Sequence, residues 1–103
     1  KGEAASLNNL GNAAKARGDL DEAERLHKES LAISREIGNR SDEAESLFFL
    51  GDIARIRGDL DGAERLFRES VRIFNEIGVS PEDWYANNVY TDPDTDWDFP
   101  PKP

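Results

Sequence analysis

These 103 residues contain no cysteine and a single histidine, His27. Without thiols no disulfide can staple the fold, which points to a reducing compartment, the cytoplasm, and no thiolate is available as nucleophile or metal ligand. A lone histidine finds no second imidazole beside it, and no glycine-rich phosphate loop is present, so the sequence nominates no catalytic residue, no metal ligand and no cofactor. No apolar run reaches the length of a signal-peptide core or a membrane span. Positive charge is scarce as well: 13 Lys and Arg stand against 22 Asp and Glu, and the net charge of −9 repels nucleic-acid phosphates and anionic membrane surfaces. A basic or polar protein partner fits better. The first residue, Lys1, is not methionine, so the chain reads as a piece cut from a longer one. With 37% hydrophobic residues it can bury one small core, which is marginal alone.

What the chain does have is a passage stated twice. Leu7, Leu10-Gly11, Ala14, Arg17-Gly18-Asp19-Leu20-Asp21, Ala23-Glu24-Arg25-Leu26 return forty residues later as Leu47, Leu50-Gly51, Ala54, Arg57-Gly58-Asp59-Leu60-Asp61, Ala63-Glu64-Arg65-Leu66. Residues 2–41 lie over 42–81 without a gap, and 22 of the 40 paired positions are identical. A fixed period in this range marks a repeat architecture.

Within each copy the apolar spacing is helical. Ala4, Leu7, Leu10, Gly11 and Ala14 recur at three- and four-residue steps, and Gly18 ends that helix. Asp19, with Glu22 three residues on, starts the next, whose inner face is Leu20, Ala23, Leu26, His27, Ser30, Leu31, Ile33 and Ile37, closed by Gly38. His27 on that face is a packed core or boundary histidine. Ser41 is expected to cap the third helix, which runs to Arg57. Gly58-Asp59 repeats the turn into a fourth, with Leu66, Phe67, Val71, Ile73, Phe74 and Ile77. Ser80-Pro81-Glu82-Asp83 opens a fifth, short helix over 81–88. Trp84 is expected to bury against Phe67, Val71 and Phe74. From 89 to 103 proline and acid replace helical period, which predicts an extended acidic tail.

The run Leu10-Gly11-Asn12 with Gly18-Asp19-Leu20-Asp21-Glu22-Ala23 resembles the tetratricopeptide repeat, in the forty-residue variant found in kinesin light chains and in spindle-orientation adaptors with Leu-Gly-Asn repeats. The resemblance covers residues 2 to about 80. It implies an all-α solenoid of two helix-turn-helix hairpins, 2–41 and 42–81, followed by the helix 81–88 and the tail 89–103. Such hairpins line up their first helices on a concave wall that binds peptide segments of other proteins, so the implied function is a non-catalytic interaction scaffold. On that wall the resemblance places Ala5, Asn8, Asn12, Lys15 and Ala16 of the first repeat and Glu45, Phe48, Asp52, Arg55 and Ile56 of the second. Asn12 falls where the family often grips peptide backbone, because an amide both donates and accepts.

Phe48 and Ile56 lie eight residues apart, so the wall is expected to carry an apolar patch that something covers; a slight rotation of the helix would instead send both into the core. The tail is one candidate cover, with Tyr90, Trp97 and Phe99 as anchors. From residue 81 on the chain carries six acids against one lysine, facing Lys15 and Arg55 on the wall. A purely solvated tail is the plain alternative. Two hairpins are fewer than such arrays usually need, which predicts a homo-oligomer and leaves a self-assembling structural unit as a second reading. A metal-dependent sensor is the third. Asp92, Asp94, Asp96 and Asp98 alternate as at the start of a calcium loop, but Trp97 stands where the loop needs glycine and Pro103 where it needs glutamate.

Overall fold

Five helices follow the glycine and aspartate punctuation of the sequence. The structure, a computed structural model, describes residues 2–88, with side chains as far as Tyr85. The proposed tail, with Tyr90, Trp97 and Phe99, lies outside the described residues. The helices are α1 (Glu3–Ala16), α2 (Leu20–Ile37), α3 (Arg40–Ile56), α4 (Leu60–Glu76) and α5 (Pro81–Asn88), and no strand occurs among the described residues.

The two Gly-Asp turns are built alike. Gly18 and Gly58 sit at φ 85° and 86°, a left-handed conformation that costs glycine nothing. The next amides, of Asp19 and Asp59, reach back to the carbonyls of Ala14 and Ala54, each at 2.9 Å, and so satisfy oxygens that a helix end leaves open. The same aspartates then cap the following helices, accepting from the amides of Glu22 at 3.1 Å and Gly62 at 3.0 Å. An aspartate cap of this kind is worth about 1 kcal/mol. The start of α3 differs from expectation: Asn39, not Ser41, is its cap. The Asn39 carboxamide oxygen accepts from the Asp42 amide while its nitrogen donates to the Asp42 carboxylate. Its oxygen and nitrogen hold the Asp42 amide and carboxylate at once, and the helix starts two residues earlier than a Ser41 cap would have it.

Consecutive helices pack as pairs, α1 on α2 and α3 on α4, with α2 against α3 joining them. Gly11 and Gly51 allow the close approach. A Cβ at Gly11 would lie 2.6 Å from the His27 ring, and one at Gly51 would lie 2.8 Å from the Phe67 ring. The hydroxyls of Ser30 and Ser70 donate to the carbonyls of Ala4 and Ala44 at 2.8 and 2.7 Å, tying each pair at the same height. The larger apolar cluster belongs to the second pair: Ala44, Leu47, Phe48, Ala63, Phe67, Ile73, Phe74 and Trp84. The first pair contributes only Ala14, Ala23 and Leu26, which meet Ile53 and the partly buried Leu7.

Three positions read as inner-face are not. Leu10, Ile37 and Ile77 are 56%, 63% and 37% exposed, whereas Asn8 and Ser34 are buried. The repeat explains Leu10. Leu50, its counterpart, shares a cleft with Leu31 of α2 and is buried, while Leu10 has no helix on that side among the described residues.

Helix α5 closes the other end. The Ser80 hydroxyl caps it by accepting from the Asp83 amide at 3.3 Å, and Trp84 buries its ring 5.0 Å from Phe74 and 5.2 Å from Phe48. The sequence expected Trp84 on the fourth helix; it lies between that helix and α3.

Candidate binding wall on α1 and α3

Asn8, Asn12 and Lys15 stand four and three residues apart on α1, as Phe48, Asp52 and Arg55 do on α3, so each trio forms one stripe along its helix. The structure brings the lower parts of the stripes together. Lys15 forms an ion pair with Asp52 across the two helices, and Arg55 donates to the other Asp52 oxygen at 2.7 Å. Asp52 is 8% exposed, so a nearly dry carboxylate sits between two partly exposed cations. A buried carboxylate is tolerated only in such company. Asn12 is half-buried one turn above Lys15.

Tyr85 of α5 joins this group, a contribution that the sequence reading did not foresee. Burial pushes its phenol above the usual range, the Asp52 charge adds to the effect, and Arg55 opposes it. Glu45, one turn before Phe49, has its carboxyl raised by burial first and by the neighbouring Asp42 second, while hydrogen bonds from Trp84 and Ser41 act the other way. The signal for both lies in the phase of α5 relative to α3, which periodicity within one helix does not carry.

Besides Asp52, two expected wall residues are not at the surface. Phe48 is 1% exposed, with the rings of Phe67, Trp84 and Tyr85 at 5.4, 5.2 and 5.6 Å, so no apolar patch runs from it to Ile56. The cover is α5. Ile56 remains 43% exposed at the end of α3. Asn8, 2% exposed, is drawn between three helices: its carboxamide oxygen lies 2.9 Å from His27 Nδ1 on α2 and 3.2 Å from the Ser46 hydroxyl on α3. A polar side chain at that depth needs such partners.

His27 is buried as expected, 1% exposed and stacked on Phe49 at 5.0 Å. Its pKa falls to about 4, chiefly because burial penalises the charged ring, with Lys15 adding to this and Asp52 opposing it. It is neutral at pH 7. The Asn8 oxygen carries no proton, so Nδ1–H is the donor in their bond. Neither His27 Nε2 nor the Asn8 amide nitrogen has a hydrogen-bond partner among the described residues.

The arrangement suits recognition. Lys15 and Arg55 bring two partly exposed cations onto one strip, with Asp52 holding both in place, and Asn12 and Tyr85 lie beside it. Among the described residues no group of three or more His, Cys, Asp or Glu side chains is placed to hold a metal ion, and no helix is long and apolar enough to cross a membrane. A separate cleft of about 390 Å³ lies between α2, α3 and α4, floored by Leu31, Leu50, Ile53, Ala54 and Leu66. None of the expected wall residues lines it.

In comparisons with known proteins, a family model described as tetratricopeptide repeat matches residues 2–76. Neither the curated proteins nor the solved structures gave a match.

Proposed function

The chain belongs to the tetratricopeptide repeat family, whose repeats generally mediate protein–protein interaction, and from that premise we propose that it is a non-catalytic scaffold which binds an extended peptide along α1 and α3. The observation that supports this reading is the strip of Asn12, Lys15, Arg55 and Tyr85, where two partly exposed cations are held by one nearly buried carboxylate. Backbone amides of a peptide would meet Asn12, and an acidic side chain would meet Lys15 or Arg55. Ile56 supplies apolar contact at one end. Asn8 and Phe48 act in this reading from beneath, setting the level of α1 and α3. The forty-residue period favours the kinesin light chain and Leu-Gly-Asn variant, and absence of thiols favours a cytoplasmic setting.

The chain's own tail is a ligand of fitting composition, with Tyr90, Trp97 and Phe99 among four aspartates between 89 and 103. Tethering gives it a millimolar effective concentration, within one chain or in a homo-oligomer. A fluorescent peptide of residues 89–103 titrated into the chain truncated after Asn88 tests this. Saturable binding that weakens about tenfold or more in Lys15→Ala and Arg55→Ala supports the site. No binding of this or any acidic peptide, with full-length and truncated chains equally stable, overturns it. Size-exclusion with light scattering separates monomer from oligomer in the same samples.

A further inference from the structure

The ring slot over the first glycine is filled differently from the ring slot over the second. In the second pair Phe67 lies on Gly51, and in the first His27 lies on Gly11. His27 Nδ1–H is spent on Asn8, and Nε2 points at the α1 backbone, where a Cβ on Gly11 would be 2.6 Å away. A second proton would have to sit on Nε2. Nε2 has no hydrogen-bond partner among the described residues, and carbonyls within a helix are already taken by its own amides.

The charges around the ring offer little relief. Lys15 of α1 repels a cation on His27; Asp52 of α3 attracts it, but is already shared by Lys15 and Arg55. Phe49 of α3 presents its face to the ring, which returns only part of the lost hydration. Burial therefore dominates and lowers the pKa to about 4. Water can reach Nε2 if α1 lifts away. What holds α1 is modest: Ala4, Ala14 and Leu7 as apolar contacts, with the bonds of Asn8, of Lys15 and of the Ala4 carbonyl. The second pair has three phenylalanines in its equivalent layer and nothing that titrates in its ring slot.

We propose that His27 makes the α1–α2 joint acid-sensitive: protonation of the buried ring expels α1 while α3, α4 and α5 stay packed. The consequence for a ligand rests on the binding reading above. Asn12 and Lys15 travel with α1, so acidification would dismantle half of the wall and release a bound peptide. The joint itself is independent of any ligand, and the experiment reads α1 directly.

Amide exchange of the full chain, followed by ¹H–¹⁵N NMR at about pH 7 and about pH 4.5 and corrected for intrinsic rates, is the test. Protection in α1 is expected to fall on the order of tenfold further than protection in α4, since stability linked to His27 is lost as pH drops below its unfolded value. In His27→Phe, which copies the Phe67 slot, and in His27→Gln, which keeps a donor for Asn8 without titrating, the selective loss should vanish. Either variant suffices if the other fails to fold. The proposal is overturned if α1 and α4 lose protection equally in the unmodified chain. It is also overturned if the selective loss persists in a non-titrating variant, or if the His27 ring titrates at its ordinary value with α1 undisturbed.

Discussion

Asn8 and His27 occupy in the first repeat the places that Phe48 and Phe67 occupy in the second, forty residues on, so a hydrogen bond of 2.9 Å stands where the other copy has two rings 5.4 Å apart. Both pairs fill the space between the first and second helix of a repeat, over a glycine that keeps the backbones close. One is polar and directional; the other is apolar and is further wrapped by Trp84 and Tyr85.

Because the two positions work as a pair, single exchanges should cost more than the double exchange. Asn8→Phe leaves His27 Nδ1–H buried without an acceptor, and His27→Phe leaves the Asn8 amide with one partner fewer, each costing about 1–3 kcal/mol. The double variant Asn8→Phe/His27→Phe copies the second repeat, and the coupling between the sites should exceed about 1 kcal/mol. Urea denaturation of the four proteins measures it; additive losses would mean that the two sites do not share an environment.

Gly11→Ala and Gly51→Ala should each destabilise by about 1–3 kcal/mol, because the new methyl would meet a packed ring at 2.6 and 2.8 Å and either the ring or the helix must shift. Both gain helix propensity from the change, so a neutral or stabilising result in thermal melts would show that the helices have room to part.

Trp84→Ala should cost on the order of 3 kcal/mol, since an indole buried against Phe48, Phe74 and Phe49 leaves a cavity that an eight-residue helix cannot close by itself. Loss of α5 would uncover Phe48. Dye binding to exposed apolar surface should therefore rise with the loss of stability, and a Trp84→Ala protein that melts like its parent would contradict the packing.

The pH dependence has two opposed contributions. His27, with its folded pKa lowered to about 4 from 6.5, contributes stability that is whole above its unfolded value and is lost as pH falls toward about 4. Glu45 works in the opposite sense: its folded pKa is raised by burial, so it favours the folded state while protonated and disfavours it once pH rises through that value. Glu45→Gln, which keeps an acceptor for the Trp84 indole, should therefore stabilise the protein at pH 7 and matter less in acid. Melting curves at the two pH values decide it, and a destabilised variant at neutral pH would reverse the sign.

Removing Lys15 should cost less than about 1 kcal/mol, for it is 38% exposed and Asp52 keeps Arg55 as a partner. Asp52→Ala is the harsher change, because it leaves two cations adjacent with no anion between them. Equal losses in chemical denaturation would mean that the Lys15 pair carries more of the α1–α3 contact than its exposure allows.

Much of the fold was legible in the sequence because its signals are local and repeated. Gly18-Asp19 and Gly58-Asp59 announce a stop and a start within two residues, and their copy forty positions on removes ambiguity. The wall was legible in part. Lys15, Asp52 and Arg55 converge because residues at three- and four-residue steps share a helix face and the repeat sets α1 beside α3. Phe48 was misplaced as a surface residue because its burial depends on α5, whose phase against α3 follows from where Trp84 fits and not from any periodicity. Asn8 was misplaced for a similar reason. Its residue type argues for solvent, and its depth is explained by partners far along the chain, the ring of His27 nineteen residues away and the hydroxyl of Ser46 thirty-eight away. Leu10 erred the other way, because an apolar residue on the right face is buried only if a neighbour stands there.

The serine ties have a consequence for building with this unit. Ser30 to Ala4 and Ser70 to Ala44 are the same bond in both copies, made by the same residue types, while the filling of the ring slot beside them differs, asparagine and histidine in one copy and phenylalanines in the other. The tie acts as a gauge that sets spacing, and the slot as an interchangeable insert cut to that gauge. A longer array assembled from these forty-residue modules must therefore copy Ser at the gauge position in every module and keep a small residue opposite it, since Ala4 and Ala44 supply backbone carbonyls from buried positions. Its inserts can then be chosen module by module, apolar where the joint must hold and polar where it must yield.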